Sequence, residues 1–294
     1  MSLDELFCDV DDFCRQFLPH WHRQQLQYGE RKRLRGCRLA LSELMTILIH
    51  FHQSHYRDFK AYYLWYVCRH LASAFPQRLS YHRLVAVIPT ALVPLGVYLQ
   101  TRKGQATGIA FIDATSLVVC HNRRIQSHKV FKQVARRGKT SVGWFYGFKL
   151  HLVVNDRGEL LAFQMTPGNT DDRQPVPRLV KGLTGKLFGD RGYISQQLFE
   201  TLLEQNLQLI TKLRKTMRNK LLPLADKLLL RKRALIETIN DQLKNISQIE
   251  HTRHRSGVNA MVNPLAGLVA YTHQPKKPSL DLSQNQLKLL NCQA

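Results

Sequence analysis

TGIAFIDATSLVV (107–119), GFKLHLVV (147–154) and ELLAFQMT (159–166) are three apolar runs rich in β-formers, and their order decides how the chain folds. The last two flank Asn155-Asp156-Arg157-Gly158, a turn sequence that makes a β-hairpin the natural reading. Outward from there the pattern alternates. A helix is expected near Gln174 to Lys181, a short strand in KLFGD (186–190), and a helix from Ser195 to Gln205. LQLITKL (207–213) reads as a further strand and the stretch from about Ala225 to Ile249 as a long helix. Three antiparallel strands followed by alternating helices and strands imply an α/β fold, a mixed sheet flanked by helices.

The first hundred residues read differently, as helices. Ser42 is a candidate N-cap before LMTILIHFH, a second periodic stretch covers 58–75 and stops at Pro76, and Ser80 is placed to cap a third helix. The expected organisation is a helical region over 1–103, an α/β domain over 104–278, and a polar, loose tail over 279–294.

Charge narrows the partner. Among 294 residues there are 43 Lys plus Arg against 21 Asp plus Glu, a net +22, with 44% apolar residues, enough for a real core. Such an excess repels itself unless a polyanion relieves it; nucleic acid is the usual one and an acidic membrane surface the other candidate. No membrane is expected as a partner: the apolar stretch around Ala86 to Tyr98 is broken by Pro89 and Pro94 and reads as too short to span. The N-terminus MSLDELFCDVDDF is acidic, unlike a secretory or transit signal, and the six scattered cysteines contain no Cys-x-x-Cys pair. Both observations suit a reducing intracellular setting.

Three acidic residues carry the candidate chemistry. Asp113 lies within the first strand and by alternation shares a face with Ile109, Phe111, Leu117 and Val119. A carboxylate there needs a cation or hydrogen bonds; Thr115 or a backbone N–H could also satisfy it. Asp190 ends the strand LFGD, between Gly189 and Gly192, where it serves either a ligand or simply the turn. Glu237 falls on the long helix, where Ile236, Ile239, Leu243 and Ile246 form the core stripe and Arg233, Glu237, Asn240 and Lys244 another face. Its bland role would be an i,i+4 ion pair with Arg233, worth about 0.3 kcal/mol.

Read together, FIDATSL, GFKLHLVVNDRGELLAF, TPGNTDDRQPV, GDRGY and RALIETINDQLK give the chain a recognisable likeness over about residues 1–278. It resembles bacterial insertion-sequence transposases of the Asp-Asp-Glu type, most closely the insertion sequence 982 group. The resemblance implies an RNase H-like fold for the sheet, with Asp113, Asp190 and Glu237 as catalytic residues and metal ligands. Two Mg²⁺ or Mn²⁺ ions held there would drive cleavage and strand transfer of DNA. Arg233, Glu237 and Lys244 match the spacing of a signature of related families, whose preceding tyrosine falls here on Leu230. Lys244, and secondarily Arg233, would then hold a phosphate near the scissile bond. Asp171, Asp172, Lys149 and His151 are further residues that could reach the site, helix capping and structural packing being their alternatives.

Two basic runs without acids suit a phosphate track, although such runs are also ordinary solvated faces. Residues 121–140, read as a loop, supply Arg123, Arg124, Lys129, Lys132, Arg136 and Arg137; the second run supplies Lys212, Arg214 and Lys215. Arg31, Lys32, Arg33, Arg35 and Arg38 form a further basic cluster. The implied partners are double-stranded DNA, as transposon ends and target, and a second copy of the chain on that DNA. The helical region would recognise the ends, and the implied location is the bacterial cytoplasm, at the nucleoid. A metal-dependent nuclease or resolvase of the same fold, and an inactive basic DNA-binding relative, remain open alternatives.

Overall fold

The computed structural model describes residues 1–29, 36–212, 222–250 and 254–280. The chain divides into two compact units, Met1–Arg102 with Leu243–Pro275, and Lys103–Gln242 with the chain from Lys276. The first begins with α1 (Leu3–Gln27), capped reciprocally: Ser2 Oγ accepts from the Glu5 N–H and Glu5 returns the bond to the Ser2 N–H at 2.7 Å. In α2 (Leu41–Gln53) the expected cap is displaced. Ala40, not Ser42, is the N-cap, because Glu43 takes the Ala40 N–H at 2.6 Å and Ser42 turns into the buried interior. The periodic stretch that follows forms α3 (Phe59–Ala61), a π-helical segment Tyr62–Val67 and α4 (Cys68–His70), ending short of Pro76. Ser80 caps α5 (Tyr81–Val87), and a 3₁₀ turn over Ile88–Ala91 leads to α6 (Leu92–Thr101).

The last two helices correct the reading of their apolar stretch as too short. Pro89 sits in the 3₁₀ turn and Pro94 in the first turn of α6, where no N–H is needed for the helical ladder. The continuous run Tyr81–Thr101 is therefore long and apolar enough, by length and composition, to cross a membrane. Its Leu84, Ile88, Leu95, Tyr98 and Leu99 are buried within the protein.

The second unit is built on a mixed sheet. Its strands are β1 (Ile109–Cys120), β2 (Arg136–Lys139), β3 (Trp144–Asn155), β4 (Leu160–Pro167), β5 (Gly185–Gly189) and β6 (Leu207–Thr211). They lie in the order β2-β3-β1-β5-β6, with β4 also paired to β3. β1 to β4 are antiparallel neighbours, whereas β5 runs parallel to β1 and β6 parallel to β5. The expected hairpin forms around Asn155, whose side chain accepts from the Arg157 and Glu159 N–H groups, while Gly158 takes φ 71°. β2 was expected to be part of a loop; its four residues pair with the start of β3 instead.

The helices of this unit are α7 (Val176–Leu179), α8 (Gln196–Glu204), α9 (Leu224–Lys232) and α10 (Ala234–Asp241). One face of the sheet, through Ile112, Val153 and Leu187, packs on Val176, Leu198 and Leu202 of α7 and α8. The other carries Phe111 and Phe188, stacked at 5.5 Å, and meets α9 and α10. There Lys186 of β5 and the buried Asp226 of α9 pair at 2.9 Å. This mixed sheet between helix layers, preceded by a helical region, is the RNase H-like arrangement anticipated above.

α11 (Gly257–Thr272) changes the expected domain limits. Its buried Val262, Ala266, Leu268 and Val269 make it a core helix, and it packs on α6 and α2. Residues 243–275 thus belong to the helical unit rather than to a continuous domain over 104–278. The tail is also shorter than expected on its described side. Leu280 N–H bonds the Asp156 carbonyl at 2.8 Å, and a Cβ on Gly158 would come within 1.9 Å of the Pro278 carbonyl oxygen. Residues 281–294 lie outside the described residues, as do Arg31, Lys32, Arg33, Arg35, Arg214 and Lys215.

Candidate active site

Asp113 stands in the middle of β1, on the sheet face that α10 covers. Asn240 of α10 donates from Nδ2 to Asp113 Oδ2 at 2.8 Å. Arg233, the single residue between α9 and α10, brings Nη1 to 3.6 Å from Asp113 Oδ1 and pairs through Nη2 with Glu237. The long helix expected from Ala225 is broken there without any glycine or proline, at the residue whose side chain spans Asp113 and Glu237.

Asp190 follows β5 at the strand end, two residues beyond Phe188, and accepts the Gly192 N–H at 2.8 Å on Oδ1. By alternation it projects to the side of Phe188 and hence of Phe111 and Asp113. Burial pushes the Asp113 carboxyl up to about 6; negative charge on Asp190 and Glu237 adds to the rise, while Arg233 and the Ala114 N–H oppose it. The three carboxylates therefore share one electrostatic neighbourhood. Tyr193 belongs to it as well. Its hydroxyl is buried, finds no hydrogen-bond partner among the described residues, and is held well above the usual phenol range by burial and then by Asp113, Asp172 and Asp190.

Among the described residues no three His, Cys, Asp or Glu side chains stand close enough together to hold a metal ion as they are. Arg233 is the cation that partners Asp113 and Glu237 here. The donor set still suits a divalent cation. It is all carboxylate oxygen, the ligand type that a hard divalent cation prefers.

Other residues singled out by sequence fall elsewhere. Lys149 and His151 pair in register with Ser116 and Ala114, so they lie on the face opposite Asp113. His151 is buried, bonded through Nε2 to Thr166 Oγ1 at 2.8 Å, and burial lowers its pKa to about 4. Lys149 pairs with Asp172 at 2.8 Å, and Asp171 with Arg173, whose hydrogen bond lowers the Asp171 pKa to about 2. Arg233, expected at a phosphate, is turned onto the two carboxylates. Lys244 lies in a π-helical turn (Gln242–Ile246) with Nζ 3.6 Å from Glu250, both in the helical unit. That turn leaves Ile246 exposed rather than in the core stripe. Arg123, Arg124, Lys129, Lys132, Arg136, Arg137 and Lys212 are all exposed, as is Arg38.

Asn240 and Tyr193 are the residues that sequence reasoning passed over. Asn240 was visible on the Glu237 face of the helix, but its bond reaches across 127 positions to Asp113.

No curated protein matches this chain. A family model described as Transposase DDE domain matches residues 103–257, a span that contains Asp113, Asp190 and Glu237 and more than half of the sequence. With that match over its RNase H-like sheet, the chain belongs to the DDE transposase domain family.

Proposed function

We infer that the chain is an insertion-sequence transposase, of the insertion sequence 982 group, that cuts element ends and joins them to target DNA. The observation that supports this reading is that Asp190 and Glu237 both act electrostatically on Asp113, and that Arg233 spans Asp113 and Glu237. Asp113, Asp190 and Glu237 would hold two divalent ions, Mg²⁺ or Mn²⁺. When bound, such a pair activates the attacking oxygen and stabilises the leaving one in an in-line displacement. The rest falls to the chain's own side chains. Asn240 fixes the rotamer of Asp113, the Gly192 N–H fixes Asp190, and Arg233 balances charge between Asp113 and Glu237.

Arg123, Arg124, Lys129, Lys132, Arg136, Arg137 and Lys212 supply exposed positive charge for the phosphate backbone, and Lys244, Arg214 and Lys215 are assigned to the same work. The helical region is assigned to end recognition. A pair of chains would bridge two ends, in the bacterial cytoplasm. The test is incubation with duplexes carrying the element's own ends. Strand cuts in Mg²⁺ or Mn²⁺, none in EDTA, and binding with little cutting in Ca²⁺ are expected. Cutting in the presence of chelator would contradict the metal-dependent reading, and no cutting under any condition would make this an inactive relative.

A further inference from the structure

The β2–β3 hairpin carries an aromatic side chain that the core does not use. Thr140 and Gly143 close the turn with backbone bonds of 2.9 and 3.2 Å, leaving Val142 97% and Trp144 58% exposed. In register, Lys139 pairs with Trp144 and Arg137 with Tyr146, so Arg137, Lys139 and Trp144 share one face. Lys139 Nζ lies 5.8 Å from the centre of the Trp144 ring. The hairpin base is rigidly seated. A Cβ on Gly138 would meet the Gly168 carbonyl oxygen at 2.1 Å, and Gly168 N–H bonds the Gly147 carbonyl at 3.0 Å.

A cavity of about 410 Å³ adjoins the hairpin, lined by Arg137, Gly138, Lys139, Trp144, Lys149, the 168–172 loop and Gly192. Gly192, whose N–H bonds Asp190, lines it, while Asp113, Asp190 and Glu237 themselves do not. Its two acids are already matched, Asp171 by Arg173 and Asp172 by Lys149. Arg137 and Lys139 have no acidic partner among the described residues. An exposed indole beside two uncommitted cations, at the mouth of a nucleotide-sized cavity, is the combination that binds unpaired nucleic acid. The ring stacks on any base and the cations take the phosphates.

We propose that this hairpin and cavity form a subsite for an unpaired nucleotide of the DNA strand, its base stacked on Trp144 and its phosphate held by Arg137 and Lys139. The subsite rests on the reading that the chain acts on DNA, and it adds a place where a strand separated from its complement is held.

The full chain is tested with a short oligothymidylate and, separately, with a duplex of arbitrary sequence. W144A should weaken oligothymidylate binding about fivefold to a hundredfold, the range expected for losing one stacked base, and W144F should retain most of it. R137A with K139A should weaken it further and flatten its salt dependence. Duplex binding should be nearly unchanged by W144A. Oligothymidylate should quench tryptophan emission in the wild type and not in W144F, whose remaining tryptophans are Trp21 and Trp65. Oligothymidylate binding by W144A equal to wild type, or emission that does not respond in the wild type, would overturn the subsite. Mg²⁺-dependent cleavage, followed in parallel, separates the two readings. A wild type that cuts without any Trp144 dependence removes the subsite alone, whereas quenching without any cutting removes the transposase reading alone.

Discussion

Asn240 donates a 2.8 Å hydrogen bond to Asp113, and it is the direct tie between helix α10 and the carboxylate of strand β1. Asp113 is half-buried, so the direction of its oxygens is set by few groups. Asn240→Ala should cost about 1.5–3 kcal/mol of stability, as expected for a hydrogen bond to a charged group. It should also raise several-fold the Mg²⁺ concentration giving half-maximal cleavage. Denaturant unfolding and a metal titration check the two effects, and no change in either would mean Asp113 keeps its orientation unaided.

Arg233 bridges Asp113 and Glu237 where a divalent cation is proposed to bind. Removing it leaves like charges uncompensated without metal and removes a competitor when metal is supplied. Arg233→Gln should therefore be less stable than wild type in EDTA and gain more from Mg²⁺. Thermal melts with and without Mg²⁺ measure this difference, and an equal metal-induced shift in both proteins would show that Arg233 does not compete.

His52 gives the helical unit a pH dependence. It is fully buried and its ring donates to the Ser247 carbonyl; burial, with a smaller push from His254, lowers its pKa to about 4. The unfolded chain, with an ordinary histidine pKa near 6.5, therefore binds more protons than the folded one between those values. Stability from this group is complete above about pH 6.5, falls as pH drops towards 4, and levels off below, a loss of at most about 3 kcal/mol. His151, also lowered to about 4, adds a similar slope in the other unit. Unfolding free energies at pH 7 and pH 4.5 should differ less in His52→Gln than in wild type, and identical slopes would contradict the assignment.

How much of this could be read from sequence depended on the range of the interactions. β1, β3 and β4 were legible because alternation and the Asn155–Gly158 turn are local signals. β2 was not, since Arg136-Arg137-Gly138-Lys139 has no strand-like pattern and is held by pairing with β3 and close approach of Gly168. The break at Arg233 escaped notice because no helix-breaking residue marks it; its side chain is held by Asp113, far away in sequence. Residues 257–272 were counted with the sheet by their position in the chain; that they form a helix buried against α6 and α2 depends on partners far away in sequence. The acidic residues were legible one by one, and the likeness to a family joined them. Asn240's part could be known only once β1 and α10 were seen side by side.

The central claim is that Asp113, Asp190 and Glu237 act together on the scissile bond. Asp113→Asn, Asp190→Asn and Glu237→Gln keep size and shape while removing charge, so folding and end-DNA binding should persist. Strand cleavage in Mg²⁺ should fall by several decades in each, because loss of a metal ligand removes several kcal/mol of transition-state stabilisation. The decisive measurement is single-turnover cleavage of end DNA at saturating protein for the three variants beside wild type. The account predicts near-wild-type binding with cleavage lost in all three; near-wild-type cleavage in any one would contradict it.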